Sequence, residues 1–168
     1  YRLMLVNSVV KHELVGSPYN QRRASCERVA AALGVETLRD AEMPDLEAIK
    51  ERISEEDYRR AAYVIGEKQR VLTVCDALLH DDYEKVGECM YRTHEGLSRE
   101  YEVSCEELDF LVEIARECGV SGSRIMGGGF GGCTINLVKN ELYDGFVQRA
   151  VKEFAAKYGH EPKIYGIT

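Results

Sequence analysis

The chain has no tryptophan, only three prolines in 168 residues, and no two cysteines at C-x-x-C spacing. Its six cysteines (Cys26, Cys75, Cys89, Cys105, Cys118 and Cys133) stand 13 to 49 residues apart, with no histidine at a ligand spacing, which speaks against a zinc site. Most of them fall on apolar-periodic positions, where a free thiol behaves as a small hydrophobe. A reducing cytoplasm is therefore expected rather than a secreted disulfide framework. A basic stripe is missing too: 29 acidic and 22 basic residues are spread along the chain for a net charge of −7, which disfavours nucleic acid and anionic membrane as partners. No signal-peptide, transit or membrane-spanning pattern is recognisable. The sequence also opens without methionine, on YRLMLVNSVV, a strand-like stretch that leads us to expect a piece of a longer protein.

What is present suffices for one domain, since 45% of the residues are apolar. The opening stretch favours a strand over about residues 2 to 8. A helix should follow, with Ser17 as its cap, Pro18 at its first position, Gly34 at its exit, and Cys26, Val29, Ala30 and Leu33 facing the core. A short helix is expected from Pro44 to Ile53, then a longer one capped by Ser54, then one from about Asp82 to Tyr101. Ser104 and Glu107 have capping-box spacing for a fourth long helix that Gly119 ends. Beyond it the period changes. SRIM and CTINLVK read as adjacent strands, with Cys133, Ile135 and Leu137 alternating against Thr134, Asn136 and Val138. We expect Cys133 on the inner face. A helix over about Leu142 to Tyr158 and a strand in KIYGIT close the chain. This order implies an α+β fold, a small, mostly antiparallel sheet of about four strands packed with a layer of helices.

Between the two adjacent strands lies GGGFGG, five glycines in six positions (Gly127, Gly128, Gly129, Phe130, Gly131, Gly132). Gly127, Gly129 and Gly132 satisfy G-x-G-x-x-G, but that dinucleotide motif must open a helix, and here strand formers follow. A Walker A loop is excluded because no G-K-[ST] follows. Two readings stand on spacing alone: a tight hairpin, or a thin loop that lets a ligand or other backbone approach closely.

GSRIMGGGFGGCTINLV resembles the third signature motif of the GHMP small-molecule kinases, in the form typical of their galactokinase branch. NSVVKHELVGSPYNQRRASCE, VIGEKQRV and YEVSCEELDFLV agree with that branch in order, so the resemblance runs over essentially the whole chain. It implies a ferredoxin-like C-terminal domain, occupying residues 1–168, of an enzyme that moves the γ-phosphoryl group of ATP, with Mg2+, to the C1 hydroxyl of α-D-galactose. The family's N-terminal domain carries the sugar-recognition motif, the phosphate loop, a magnesium-binding acid and the aspartate base. None of these has a counterpart in this sequence, so the chain alone is expected to be inactive. Two alternatives stand beside this: a free-standing ligand-binding module, and a kinase for a related hexose such as N-acetylgalactosamine.

The resemblance implies that Tyr19, in S-x-Y-x-x-R-R, binds the sugar; a phenol near the first turn of a helix can hydrogen-bond a sugar hydroxyl while its ring packs beside the sugar. It implies that residues 127 to 132 lie near the phosphates, supporting that site without cradling it. Arg22 and Arg23 could face a phosphate, though ion pairing with acidic neighbours such as Asp40, or solvent exposure, is the plainer expectation. His12 reads as a strand-exit residue and His94 as a packed or hydrogen-bonded one, while His80 and His160 lie at element ends.

Overall fold

The computed structural model describes residues 1–11 and 17–167. His12 and the side chain of Ser17, with the capping role expected of it, lie outside the described residues. Four strands, β1 (Arg2–Asn7), β2 (Gly122–Met126), β3 (Cys133–Val138) and β4 (Lys163–Ile167), form one sheet in the order β2-β3-β1-β4. Every ladder is antiparallel, with Met4 opposite Asn136 and Gly166, and Ile125 opposite Thr134. Two interleaved β-helix-β units give this order, so the topology is ferredoxin-like.

Between β1 and β2 run five α-helices: α1 (Ser17–Leu33), α2 (Met43–Ala48), α3 (Glu55–Leu79), α4 (Tyr83–Arg99) and α5 (Glu106–Glu117); α6 (Tyr143–Tyr158) joins β3 to β4. Several boundaries follow from chemistry already visible in the sequence. Ser54 accepts a hydrogen bond from the Asp57 amide, and Gly34, Gly119 and Gly159 leave their helices at φ of 73°, 74° and 77°. The helix expected over Pro44 to Ile53 is instead two pieces, because Ile49 leaves helical geometry at ψ 8° and a 3-10 turn covers Lys50–Arg52. The expected capping box at Ser104 does not form either. Cys105 is the N-cap of α5, and the Ser104 hydroxyl donates to Asp109 Oδ1 at 2.6 Å.

Helices cover both faces of the sheet, unequally. Met4, Val6 and Val138 project into a core with Leu111, Ile114 and Ala115 of α5 and Phe146, Ala150 and Phe154 of α6. Burying the Met, Val, Leu, Ile and Phe side chains among these contributes about 1.5–3 kcal/mol each. Thr134 and Asn136 share that fully buried face, where the Asn136 amide donates to Thr134 Oγ1 at 3.1 Å. Cys133 therefore lies on the opposite, less covered face with Ile135 and Leu137, contrary to the inner placement expected for it. Local hydrogen bonding lets the polar residues be the buried set.

Helices α3 and α4 cover part of this second face. Contact with α4 is close because both partners lack a side chain: a Cβ on Gly122 would lie 2.5 Å from Gly87 Cα. A separate core of Val29, Leu38, Leu46, Ala61 and Ile65 ties α1, α2 and α3 together away from the sheet.

Candidate functional site

One end of the sheet gathers four segments that are distant in sequence: the exit of β1, the start of α1, the connector between α4 and α5, and the glycine run. The run is pinned from two sides. Phe130 N donates to Val103 O at 2.6 Å, and Gly132 N donates to Val10 O at 3.2 Å while its carbonyl accepts from Ser8 N and Ser8 Oγ at 2.9 and 2.8 Å. Close approach explains two of the glycines, since a Cβ on Gly129 would lie 2.1 Å from Val103 O and one on Gly131 would lie 2.6 Å from Val10 O. Gly127 meets nothing within 4 Å, and its φ of 90° is its own reason for being glycine.

Backbone strain concentrates at the same place. Among the described residues four that are not glycine have positive φ, and three of them meet here: Val9 (60°) after β1, Glu102 (55°) in the connector and Phe130 (60°) in the run. Val9 is held by its amide bonding Asn7 Oδ1 at 2.8 Å. A β-branched residue in that region is a true outlier, and such strain clusters where structure serves a site.

A cavity of about 450 Å³ opens between α1 and the run, lined by Tyr19, Arg22, Arg23, Leu97, Tyr101, Val103, Gly127 and Gly128. The structure thus brings Tyr19 together with Gly127 and Gly128. The remaining members of the run, Gly129, Phe130, Gly131 and Gly132, anchor it from behind. Tyr19 is 49% exposed, leaving its phenol open to a ligand. No carboxylate lines this cavity, although the chain as a whole is acidic.

Arg22 does not do what the sequence suggested. It is 7% exposed and forms no pair with Asp40; Nε donates to Tyr101 O at 2.6 Å, Nη2 to Glu102 O at 2.6 Å and Nη1 to Pro18 O at 3.4 Å. Burial lowers its pKa, and the neighbouring Arg60 adds to the shift. Arg23 pairs with Glu27 on the surface at 2.7 Å. Two further residues brace the connector. Arg59 donates to Glu100 O at 3.1 Å and pairs with the Glu102 carboxylate. Asp109 accepts from Ser98 and Ser104 at 2.9 and 2.6 Å and pairs with buried His94 at 2.8 Å. Burial pushes the Asp109 carboxyl up, and bonds from His94, Ser104 and Ser98 outweigh it, so the group ends below its ordinary value.

Sequence reasoning singled out Tyr19 and the run but gave Leu97, Tyr101 and Val103 no place in the lining. The stretch YEVSCEELDFLV held the signal. What gave it no role was that its carbonyls act on partners some 80 positions away, such as Arg22.

Residues 75–157 match the family model described as GHMP kinases C terminal. Residues 75–157 carry GHMP kinase C-terminal sequence. Over 164 residues it is 47% identical to a galactokinase of Homo sapiens, covering 97% of this chain and 41% of that protein. Against a galactokinase of Thermotoga petrophila the identity is 41% over 160 residues, 95% of this chain and 45% of that protein. The crystal structure of Lactococcus lactis galactokinase complexed with galactose superposes with a TM-score of 0.89 at 28% identity, covering 99% of this chain and 44% of that one. The chain thus spans less than half the length of the relatives it matches. No described helix is long and apolar enough to cross a membrane.

Proposed function

We propose that residues 1–168 form the C-terminal domain of a galactokinase and supply one wall of its sugar and nucleotide cleft. The observation that carries this reading is the single cavity in which Tyr19 faces Gly127 and Gly128, ringed by strained backbone. Support comes from the galactokinases that match almost the whole chain, one of them solved with galactose. The intact enzyme would transfer the γ-phosphoryl group of ATP to the C1 hydroxyl of α-D-galactose, giving galactose 1-phosphate in the cytoplasm.

In this reading Tyr19 orients the sugar through its hydroxyl, and the glycine run, lacking Cβ atoms, lets the phosphate-binding part of the partner domain come close. Phosphoryl transfer rests on positioning and charge neutralisation. The residues described here do not suit a magnesium ion: no three His, Cys, Asp or Glu side chains gather, and the cavity lining has no carboxylate. In this reading ATP, Mg2+ and the base are held mainly by an N-terminal domain, and the 168-residue chain alone is expected to be inactive.

Tyr19→Phe tests the sugar contact. In a polypeptide of the relatives' length, losing one hydrogen bond should cost about 0.5–1.5 kcal/mol, or about 2- to 12-fold in kcat/KM for galactose, with ATP unaffected. Unchanged galactose kinetics would remove Tyr19 from the site.

A further inference from the structure

The connector between α4 and α5 (residues 100–104) touches both walls of the cavity, and each of its three central carbonyls is engaged. Tyr101 O and Glu102 O accept from Arg22, which grows from the same helix as Tyr19, three residues on. Val103 O accepts from Phe130 in the glycine run. Glu102 sits at φ 55° between the two halves of this arrangement, a conformation that a non-glycine residue holds only when its surroundings over-determine it. The guanidinium of Arg22 also stands 5.8 Å from the centroid of the Phe130 ring, so it reaches the run a second way.

We propose that Arg22 is the positioning residue of this site, locking the glycine run to the helix that bears Tyr19 through the backbone of residues 101–103. It acts through the backbone it holds, with Nε and Nη2 occupied by Tyr101 O and Glu102 O. Its planar fork serves two adjacent carbonyls at once, and a lysine, with a single ammonium on a flexible stem, cannot hold both in the same geometry. Arg23, next in sequence, is an internal control for this link, because its side chain is exposed and pairs with Glu27. The functional consequence rests on the galactokinase reading; the mechanical link does not.

Two readouts separate them. In the 168-residue chain, hydrogen exchange of the Phe130 and Gly132 amides should quicken about tenfold in Arg22→Lys as the run opens locally, while amides of β1 and all amides of Arg23→Lys keep their rates. In a polypeptide of the relatives' length, Arg22→Lys should lower kcat/KM for galactose and for ATP together by about tenfold, because both walls shift, whereas Tyr19→Phe acts on galactose alone. Should Arg22→Lys fail to fold, Phe130→Leu keeps both carbonyl bonds and removes only the ring contact; the Gly132 amide should then exchange about threefold faster. Unchanged exchange at the run in whichever variant folds overturns the link. If the unmodified long polypeptide fails to phosphorylate galactose, the reading of function falls and the exchange data alone decide the link.

Discussion

Gly129→Ala should lower stability by about 3 kcal/mol or more, a fall in melting temperature of roughly 6–12 °C for a domain of this size. Two costs add. At φ 82° an alanine pays about 1–2 kcal/mol for the left-handed region alone, and its Cβ would lie 2.1 Å from the carbonyl oxygen of Val103. That oxygen is backbone and already accepts the Phe130 amide at 2.6 Å, so it cannot retreat without breaking the bond that anchors the run. Gly127→Ala supplies the contrast. With φ at 90° and no atom within 4 Å it should cost only about 1–2 kcal/mol. Equal losses in thermal melts of the two variants would mean that the run is a turn with no anchoring role for Val103.

Gly87→Ala is the second large effect, and its sign is the test. Within a helix, glycine to alanine gains about 0.8–1 kcal/mol from propensity where nothing opposes it. Gly66→Ala in α3, with nothing within 4 Å, should show that gain. At Gly87 the new methyl would lie 1.9 Å from Ser121 O and 2.4 Å from Ser121 C, so α4 must move off β2. Overpacking of this kind costs about 1–3 kcal/mol and more when backbone is hit, which leaves a net loss of about 2 kcal/mol. A stabilised Gly87→Ala in chemical denaturation would show that α4 does not need its close seat on the sheet.

The elements set by local chemistry were legible before the structure. Ser54 as a cap, Gly34 and Gly119 as exits, and the alternation over residues 133 to 138 each depend on neighbours within a turn or a strand, and each appears at or near its expected place. Features set by distant partners were not. Asp109, five residues on in α5, draws Ser104 away from its cap. Cys133 was assigned to the wrong face because hydropathy ranks it above Thr134 and Asn136, whereas hydrogen bonds between those two make them the better buried pair. Arg22 read as an ion-pair residue because nothing nearby in sequence reveals that carbonyls 79 and 80 positions away will occupy its donors. For the site itself, Tyr19 and the glycine run were accessible through motif resemblance, but the third wall at Leu97, Tyr101 and Val103 emerged only from folding.

The acidic surface carries exposed apolar side chains on the less covered side of the sheet, among them Leu3, Met126, Tyr165 and Ile167. Such residues suit burial against further protein, in keeping with a chain that spans 41% of its human relative's length.

The most direct test is ATP-dependent phosphorylation of a hexose panel (galactose, glucose, N-acetylgalactosamine) by a polypeptide of the relatives' full length, with this 168-residue chain assayed beside it. Galactose 1-phosphate is expected from the long polypeptide and no turnover from the 168-residue chain. Failure of the long polypeptide to phosphorylate galactose, or robust turnover by the short chain alone, would contradict that expectation.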